Sequence, residues 1–173
     1  MLMIFYTGNF DAPVSSWHNN DMPNNFFALY NRKNLGVGFR FIAHDSEHSL
    51  FVINNYSDGL YENRVEIPGM SCANVYSFQP QWLHYKLTSN AEYRNRVRDR
   101  ACQLFSDGGI FSPSLAAARF KSRADEIDMA IIAESARWGD SRISPSRTKD
   151  DDWLPEIEQM YSDYFPLRTG IVI

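Results

Sequence analysis

Two carboxylates and two imidazoles stand within one short run, His44-Asp45-Ser46-Glu47-His48. Carboxylate oxygens in an Asp-x-Glu step at the end of a strand suit a hard cation such as Mg²⁺. The structural alternative is that Asp45 and Glu47 are turn residues capping the next segment. His44 and His48 allow another chemistry. Imidazole and carboxylate together suit Zn²⁺ or Mn²⁺, so His44, Asp45 and His48 could serve a metal-dependent hydrolase. Neighbouring residues on a strand face opposite ways, so that set requires the chain to turn helical after His44, aligning His44 and His48 four residues apart. Two further positions join Asp45 in a phosphotransferase reading: Asp11 in a turn and Asn25 ahead of a strand. Kinase-like enzymes need one Asp to accept or orient the attacking hydroxyl. They also need an Asn and a second Asp to hold the metal on the nucleotide phosphates.

A hairpin has to bring Asp45 back beside Asn25, and the sequence predicts one. Phe26-Phe27-Ala28-Leu29-Tyr30 is aromatic-rich and reads as a strand. Asn31 to Gly36 supplies a polar turn. Val37 to Ala43 alternates, with Val37, Phe39, Phe41 and Ala43 on one face. Asn9-Phe10-Asp11-Ala12-Pro13 is turn chemistry, because Asn and Asp bond nearby backbone. Met1 to Thr7 is a short apolar segment ended by Gly8, and residues 15–25 read as a polar loop. Residues 54–70 read as an irregular loop with Gly59, Pro68 and Gly69 as breakers.

Helical patterns fill the remainder. Pro80 to Ser89 is a short helix with Pro80 in its first turn. Glu92 to Phe105 places Tyr93, Val97, Ala101, Leu104 and Phe105 on one face, and Gly108-Gly109 stops it. Ser112-Pro113 opens a helix that runs to about Trp138, with Phe120, Ala124, Ile127 and Ile131 inward. Thr148-Lys149-Asp150-Asp151 resembles a capping box before a last helix whose stripe is Trp153, Ile157, Met160, Tyr161 and Tyr164, closed by Pro166. Glu134 and Arg137 are placed to pair on their helix. Trp138 and Trp153 are expected to pack together or in the core. His18 and His84 have no identifiable partner in the sequence.

The 173 residues carry a formal charge of −4, which argues against a general nucleic-acid or anionic-membrane binder. Arg94, Arg96, Arg98 and Arg100 are interrupted by acids and read as a solvated helix face. Cys72 and Cys102 could pair or sit as small buried hydrophobes, and no Cys-x-x-Cys spacing marks a zinc site. No apolar run approaches the roughly 20 residues that span a bilayer. Met1 to Tyr6 lacks the basic start and cleavage site of a signal peptide.

The wording around the three candidate positions resembles the CotH family, atypical kinases named for a bacterial spore coat protein. The matching strings are Phe5-Tyr6-Thr7-Gly8-Asn9-Phe10-Asp11, Asn24-Asn25-Phe26-Phe27-Ala28-Leu29-Tyr30, and Phe39 through His48. The later half is similar to large bacterial CotH-domain proteins in Asn90-Ala91-Glu92-Tyr93-Arg94, Asp152-Trp153-Leu154 and Phe165-Pro166-Leu167-Arg168-Thr169. The most specific piece is Glu134-Ser135-Ala136-Arg137-Trp138-Gly139-Asp140. The resemblance implies an α+β, mostly α fold: the C-terminal lobe of a protein-kinase-like domain, with a short β-hairpin followed by a helical half. It implies ATP with Mg²⁺ or Mn²⁺, a protein substrate, and a secreted or cell-surface location. Asp11 matches the catalytic Asp, Asn25 the metal-binding Asn, and Asp45 the metal-binding Asp after the hairpin. Many members have Asp-x-Asp at this last step; here Glu47 stands as a longer-reaching metal ligand.

No Gly-rich loop precedes the site, and the first lysine, Lys33, comes after Asp11 and Asn25. The N-terminal lobe is therefore expected to be absent. The chain reads as a single partial domain: residues 1–53 carry the site, 54–79 a loop and 80–173 the helices. Activity is then expected to depend on a missing lobe or neighbouring domains. A non-catalytic, pseudokinase-like binding or cell-surface module is the alternative.

Overall fold

The computed structural model describes residues 1–51, 53–67, 72 and 74–173. The fold is α+β and mostly helical, a small antiparallel hairpin followed by helices. Two compact units divide the chain, one of Met1–Ala101 with Val172, the other of Cys102–Ile171 with Ile173.

In the first unit, the apolar start forms helix α1, Leu2–Thr7, which buries Ile4, Phe5 and Tyr6. Gly8 ends it in the left-handed conformation, φ 62°, which glycine adopts without a Cβ clash. The next loop is more structured than its polarity predicts. Residues Ser16–His18 form a 3₁₀ turn, and Val14 bridges Pro23. Strands β1, Phe26–Tyr30, and β2, Phe39–Ala43, pair antiparallel with Phe26 opposite Ala43 and Tyr30 opposite Phe39. Directly opposed residues share a face, so Phe26, Ala28 and Tyr30 lie with Ala43, Phe41 and Phe39. The second strand starts later than its alternation predicts, because Leu35–Val37 is taken up in a 3₁₀ turn.

The supposed irregular loop contains a two-residue ladder, β3 Ile53–Asn54 against β4 Ser57–Asp58, and a 3₁₀ turn at Gly59–Tyr61. Two residues are too few for a visible alternation. The breakers Pro68 and Gly69, and Met70, lie outside the described residues. Arg64 is 2% exposed and ties this segment back to residues 14–20. Helix α2 is Pro80–Leu87 and α3 is Ala91–Phe105. On α3 the apolar stripe is the protected one, and the arginine run faces solvent, with Arg96 paired to Glu92. His84, which showed no partner in sequence, lies 2.7 Å from the Tyr93 hydroxyl through Nδ1. Cys72 and Cys102 are both free thiols, and Cys102 is exposed rather than buried.

In the second unit, α4 spans Pro113–Trp138. Ser112 occupies the N-cap position, but its hydroxyl donates to the Gly109 carbonyl instead of capping. Ala124 is buried as expected, whereas Ile127 is 46% exposed. Arg137 lies over the Trp138 ring at 4.9 Å, so it serves the indole rather than the expected Glu134 pair. Trp138 itself is 52% exposed and not a core residue. Thr148 caps the next helix, accepting from the Asp151 N–H at 2.9 Å. The reciprocal bond comes from Asp152, whose Oδ2 accepts the Thr148 N–H at 2.7 Å. A π turn at Lys149–Trp153 leads into α5, Leu154–Gln159, and another at Met160–Tyr164 leads into α6, Phe165–Val172. Pro166 therefore does not close the helix. It sits in the first turn of α6, where a missing N–H is tolerated. Phe120 packs on Tyr161 and Phe165, and Tyr164 is fully buried.

Candidate functional site

Asp11 is the buried centre of the first unit, 5% exposed. Local chemistry sets it there. The Asn9 side chain accepts the Asp11 backbone N–H at 3.0 Å, closing an Asx turn directly after α1. The carboxylate then receives two amide donors from one doublet. Asn24 Nδ2 donates to Oδ1 at 2.8 Å and Asn25 Nδ2 donates to Oδ2 at 2.7 Å. Each oxygen of Asp11 is thus held by a separate side chain, which fixes the plane of the carboxylate.

Asn25 has φ 49° and Asp45 has φ 48°. Both lie in the left-handed region, which Asn and Asp enter more readily than other side-chain-bearing residues. These two positions flank the end of the hairpin. The His44 N–H donates to the Asn25 carbonyl at 2.9 Å, adding one rung beyond the Phe26–Ala43 pair. Asp45 comes immediately after that rung. The hairpin therefore returns the chain just ahead of Asp45 to Asn25, the residue that bonds Asp11.

A buried cation lies near this carboxylate. The Arg64 guanidinium donates to the Val14 carbonyl at 2.8 Å and to Ser16 Oγ and Asn20 Oδ1 at 3.1 Å. Glu62 lies 3.5 Å away. Burial lowers the Arg64 pKa from its ordinary value, and Glu62 and then Asp11 work against that shift by favouring the charged form.

Glu47 turns toward His48, its carboxylate 3.5 Å from Nε2. The two histidines go to separate aromatic groups. His48 packs against Trp17 at 4.3 Å and Phe10 at 5.1 Å, while His44 packs edge-on to Phe27 at 4.9 Å. Among the described residues, no three His, Cys, Asp or Glu side chains are grouped to hold a metal ion. The oxygen donors that a hard cation would use here are fewer: the Asn25 side-chain carbonyl, not engaged in its amide bond to Asp11, and the carboxylate of Asp45, which follows the rung at Asn25. Mg²⁺ accepts so sparse a set, because it keeps several waters and takes its other oxygens from phosphates.

The turn chemistry read at Asn9 is present as its bond to the Asp11 N–H, while sequence reasoning missed Asn24 and Arg64. Asn24 had a signal, as the twin of Asn25 directly before the aromatic strand. Arg64 had none, because its partners lie far upstream in the chain. Among the described residues, no helix is long and apolar enough to cross a membrane. No family model, curated protein or solved structure matches the chain.

Proposed function

We propose that the chain carries the hydroxyl- and metal-handling part of a CotH-type, kinase-like phosphotransferase acting on protein hydroxyls. The observation that supports it is the 2.7 Å bond from Asn25 to Asp11, with Asp45 one residue beyond the rung that holds Asn25. In this reading Asp11 orients the acceptor hydroxyl and takes its proton as the oxygen attacks the γ-phosphorus of ATP; the bond to the β-phosphate oxygen breaks and ADP leaves. Asn25 and Asp45 hold Mg²⁺ or Mn²⁺, with Glu47 available at the rim. The ion supplies charge neutralisation on the phosphates. A lysine and glycine loop from another lobe or neighbouring domain complete the nucleotide clamp. A protein substrate and a secreted or surface location belong to the same reading.

A second reading, a non-catalytic binding module of the same ancestry, has one observation in its favour. Both oxygens of Asp11 already accept amide hydrogens, which also suits a purely structural carboxylate.

Calorimetric titration of Mg²⁺-ATP into the chain separates them. Asp45→Asn is the informative variant, since Asn keeps the left-handed backbone and removes the charge. Metal-dependent ATP binding that weakens at least tenfold in Asp45→Asn supports the phosphotransferase. Phosphoryl transfer to a protein acceptor, which Asp11→Asn should abolish, is expected only when the lobe that carries the lysine and glycine loop is supplied, and not from the chain alone. No metal-dependent binding at millimolar ATP leaves the binding module in its place.

A further inference from the structure

The first unit also holds an apolar groove of about 440 Å³, walled by α1, the open end of the hairpin, α2 and α3. That is within the range of small-molecule sites, about 300–1,000 Å³. Its surface is supplied by such side chains as Ile4, Phe26, Phe41, Leu83, Leu87 and Val97. Part of this surface meets water: Phe41 is 39% and Leu87 38% exposed. Patches of this kind on a folded unit mark a binding surface.

The polar groups in the wall narrow the choice of occupant. His84 and Tyr93 are bonded to each other, and Asn25 is bonded to Asp11. The groove thus offers no row of donors and acceptors for a peptide, whose buried N–H and C=O groups need partners. What it does offer is cationic groups in the wall: Arg96 and Arg100, one turn apart on α3, and the Met1 amine. Both arginines have partners of their own; that of Arg96 is Glu92, and the two side chains of this pair are largely exposed, 77% and 73%. A pair so exposed is worth little and can be given up to a better anion. An apolar trough with cations at one wall is complementary to an alkyl chain ending in a carboxylate. If a methylene takes about the room of a water, about 30 Å³, the volume admits a chain of a dozen or more carbons.

We propose that this groove binds a free fatty acid, its alkyl chain along the apolar walls and its carboxylate at Arg96 and Arg100. The test is displacement of a fluorescent probe, 11-(dansylamino)undecanoic acid, from the whole chain by palmitate or by hexadecanol. Palmitate should displace the probe saturably, with hexadecanol at least tenfold weaker. Arg96→Gln with Arg100→Gln should weaken palmitate at least tenfold and leave hexadecanol unchanged. Val97→Trp, which fills the trough, should abolish probe binding while circular dichroism shows the helices intact. The double glutamine variant changes only exposed side chains, so the head-group test stands even if Val97→Trp fails to fold. Absence of saturable displacement, equal potency of the alcohol, or palmitate affinity unchanged by the double variant overturns the proposal. Probe binding lost as the chain dimerises in gel filtration overturns it in favour of a second copy. Uptake onto phosphatidylglycerol vesicles without displacement by palmitate overturns it in favour of a lipid surface.

Discussion

Asn25 donates its side-chain amide to Oδ2 of Asp11 at 2.7 Å, and it does so from a left-handed backbone at φ 49°. The two features separate by mutation. Asn25→Gly keeps the backbone conformation and removes the donor, leaving one oxygen of a buried carboxylate short of a partner, at a cost of about 1–3 kcal/mol. Asn25→Ala also removes the donor, and it keeps a Cβ in the left-handed region without the polar side chain that makes Asn tolerable there, so it stands about 1–2 kcal/mol below glycine. Urea unfolding should therefore rank wild type above Asn25→Gly and Asn25→Gly above Asn25→Ala. Equal stability of the two variants would show that the backbone is not held in this conformation.

Arg64 joins parts of the first unit that the chain separates widely. Its three hydrogen-bond directions end on Val14, Ser16 and Asn20 while Glu62 sits alongside. Replacing it with Met removes the cation and leaves Glu62, itself only 11% exposed, without its countercharge. Breaking a buried pair from one side costs about 3–5 kcal/mol. Arg64→Lys should recover little, since a point charge on a flexible stem cannot reproduce the planar fork. Denaturant midpoints of the two variants check this. A lysine variant as stable as wild type would reduce Arg64 to a simple charge.

Sequence patterns carried the hairpin and the longer helices because those elements repeat their signal. Phe39, Phe41 and Ala43 alternate for a whole strand, and Pro80 and Pro113 mark helix starts with the residue whose fixed φ and missing N–H suit a first turn. The pattern ran out where a signal is short or ambiguous. Ile53–Asn54 is too brief to alternate. Pro166 means a stop after a helix and a start within its first turn, and only the backbone decides which. Ile127 fell on the inward stripe of α4 by spacing, yet a helix this long has more apolar residues than its neighbours cover. At the site, Asp11, Asn25 and Asp45 could be named from residue type and order. The Asn9 turn was legible as local chemistry, whereas the Asn24 bond to Asp11 and the ties of Arg64 to Val14, Ser16 and Asn20 arise through geometry rather than motif.

His84 gives the first unit a pH-dependent element. Its ring stands edge-on to Phe5 at 5.4 Å, and burial lowers its pKa below the ordinary 6.5. A depressed folded-state pKa means the neutral ring is preferred in the fold. Stability from this group is complete above about pH 6.5, the value of a free imidazole. It declines as pH falls from there to the lowered folded value, then levels off. His84→Gln removes this dependence. Thermal melts between pH 7.5 and 5 should show the melting temperature of wild type falling more steeply than that of the variant. Parallel curves would mean that the ring is protonated in the fold without penalty.

Gly139 inverts the usual effect of adding a methyl group to a helix end. It sits at φ −56°, ordinary helical backbone, where alanine is normally favoured by about 1 kcal/mol. Here the added Cβ would lie against the Arg147 carbonyl and 2.6 Å from the Ser135 carbonyl. Both oxygens are backbone and cannot swing aside. The Arg147 N–H also donates to the Gly139 carbonyl at 2.9 Å, so the close approach closes the loop between α4 and the Thr148 cap. Gly139→Ala should therefore destabilise the second unit by about 1–3 kcal/mol, the usual range for overpacking. Hydrogen exchange at the Arg147 amide should quicken more than at amides in the middle of α4. A stabilised Gly139→Ala variant would mean that the loop does not return to the helix end in solution.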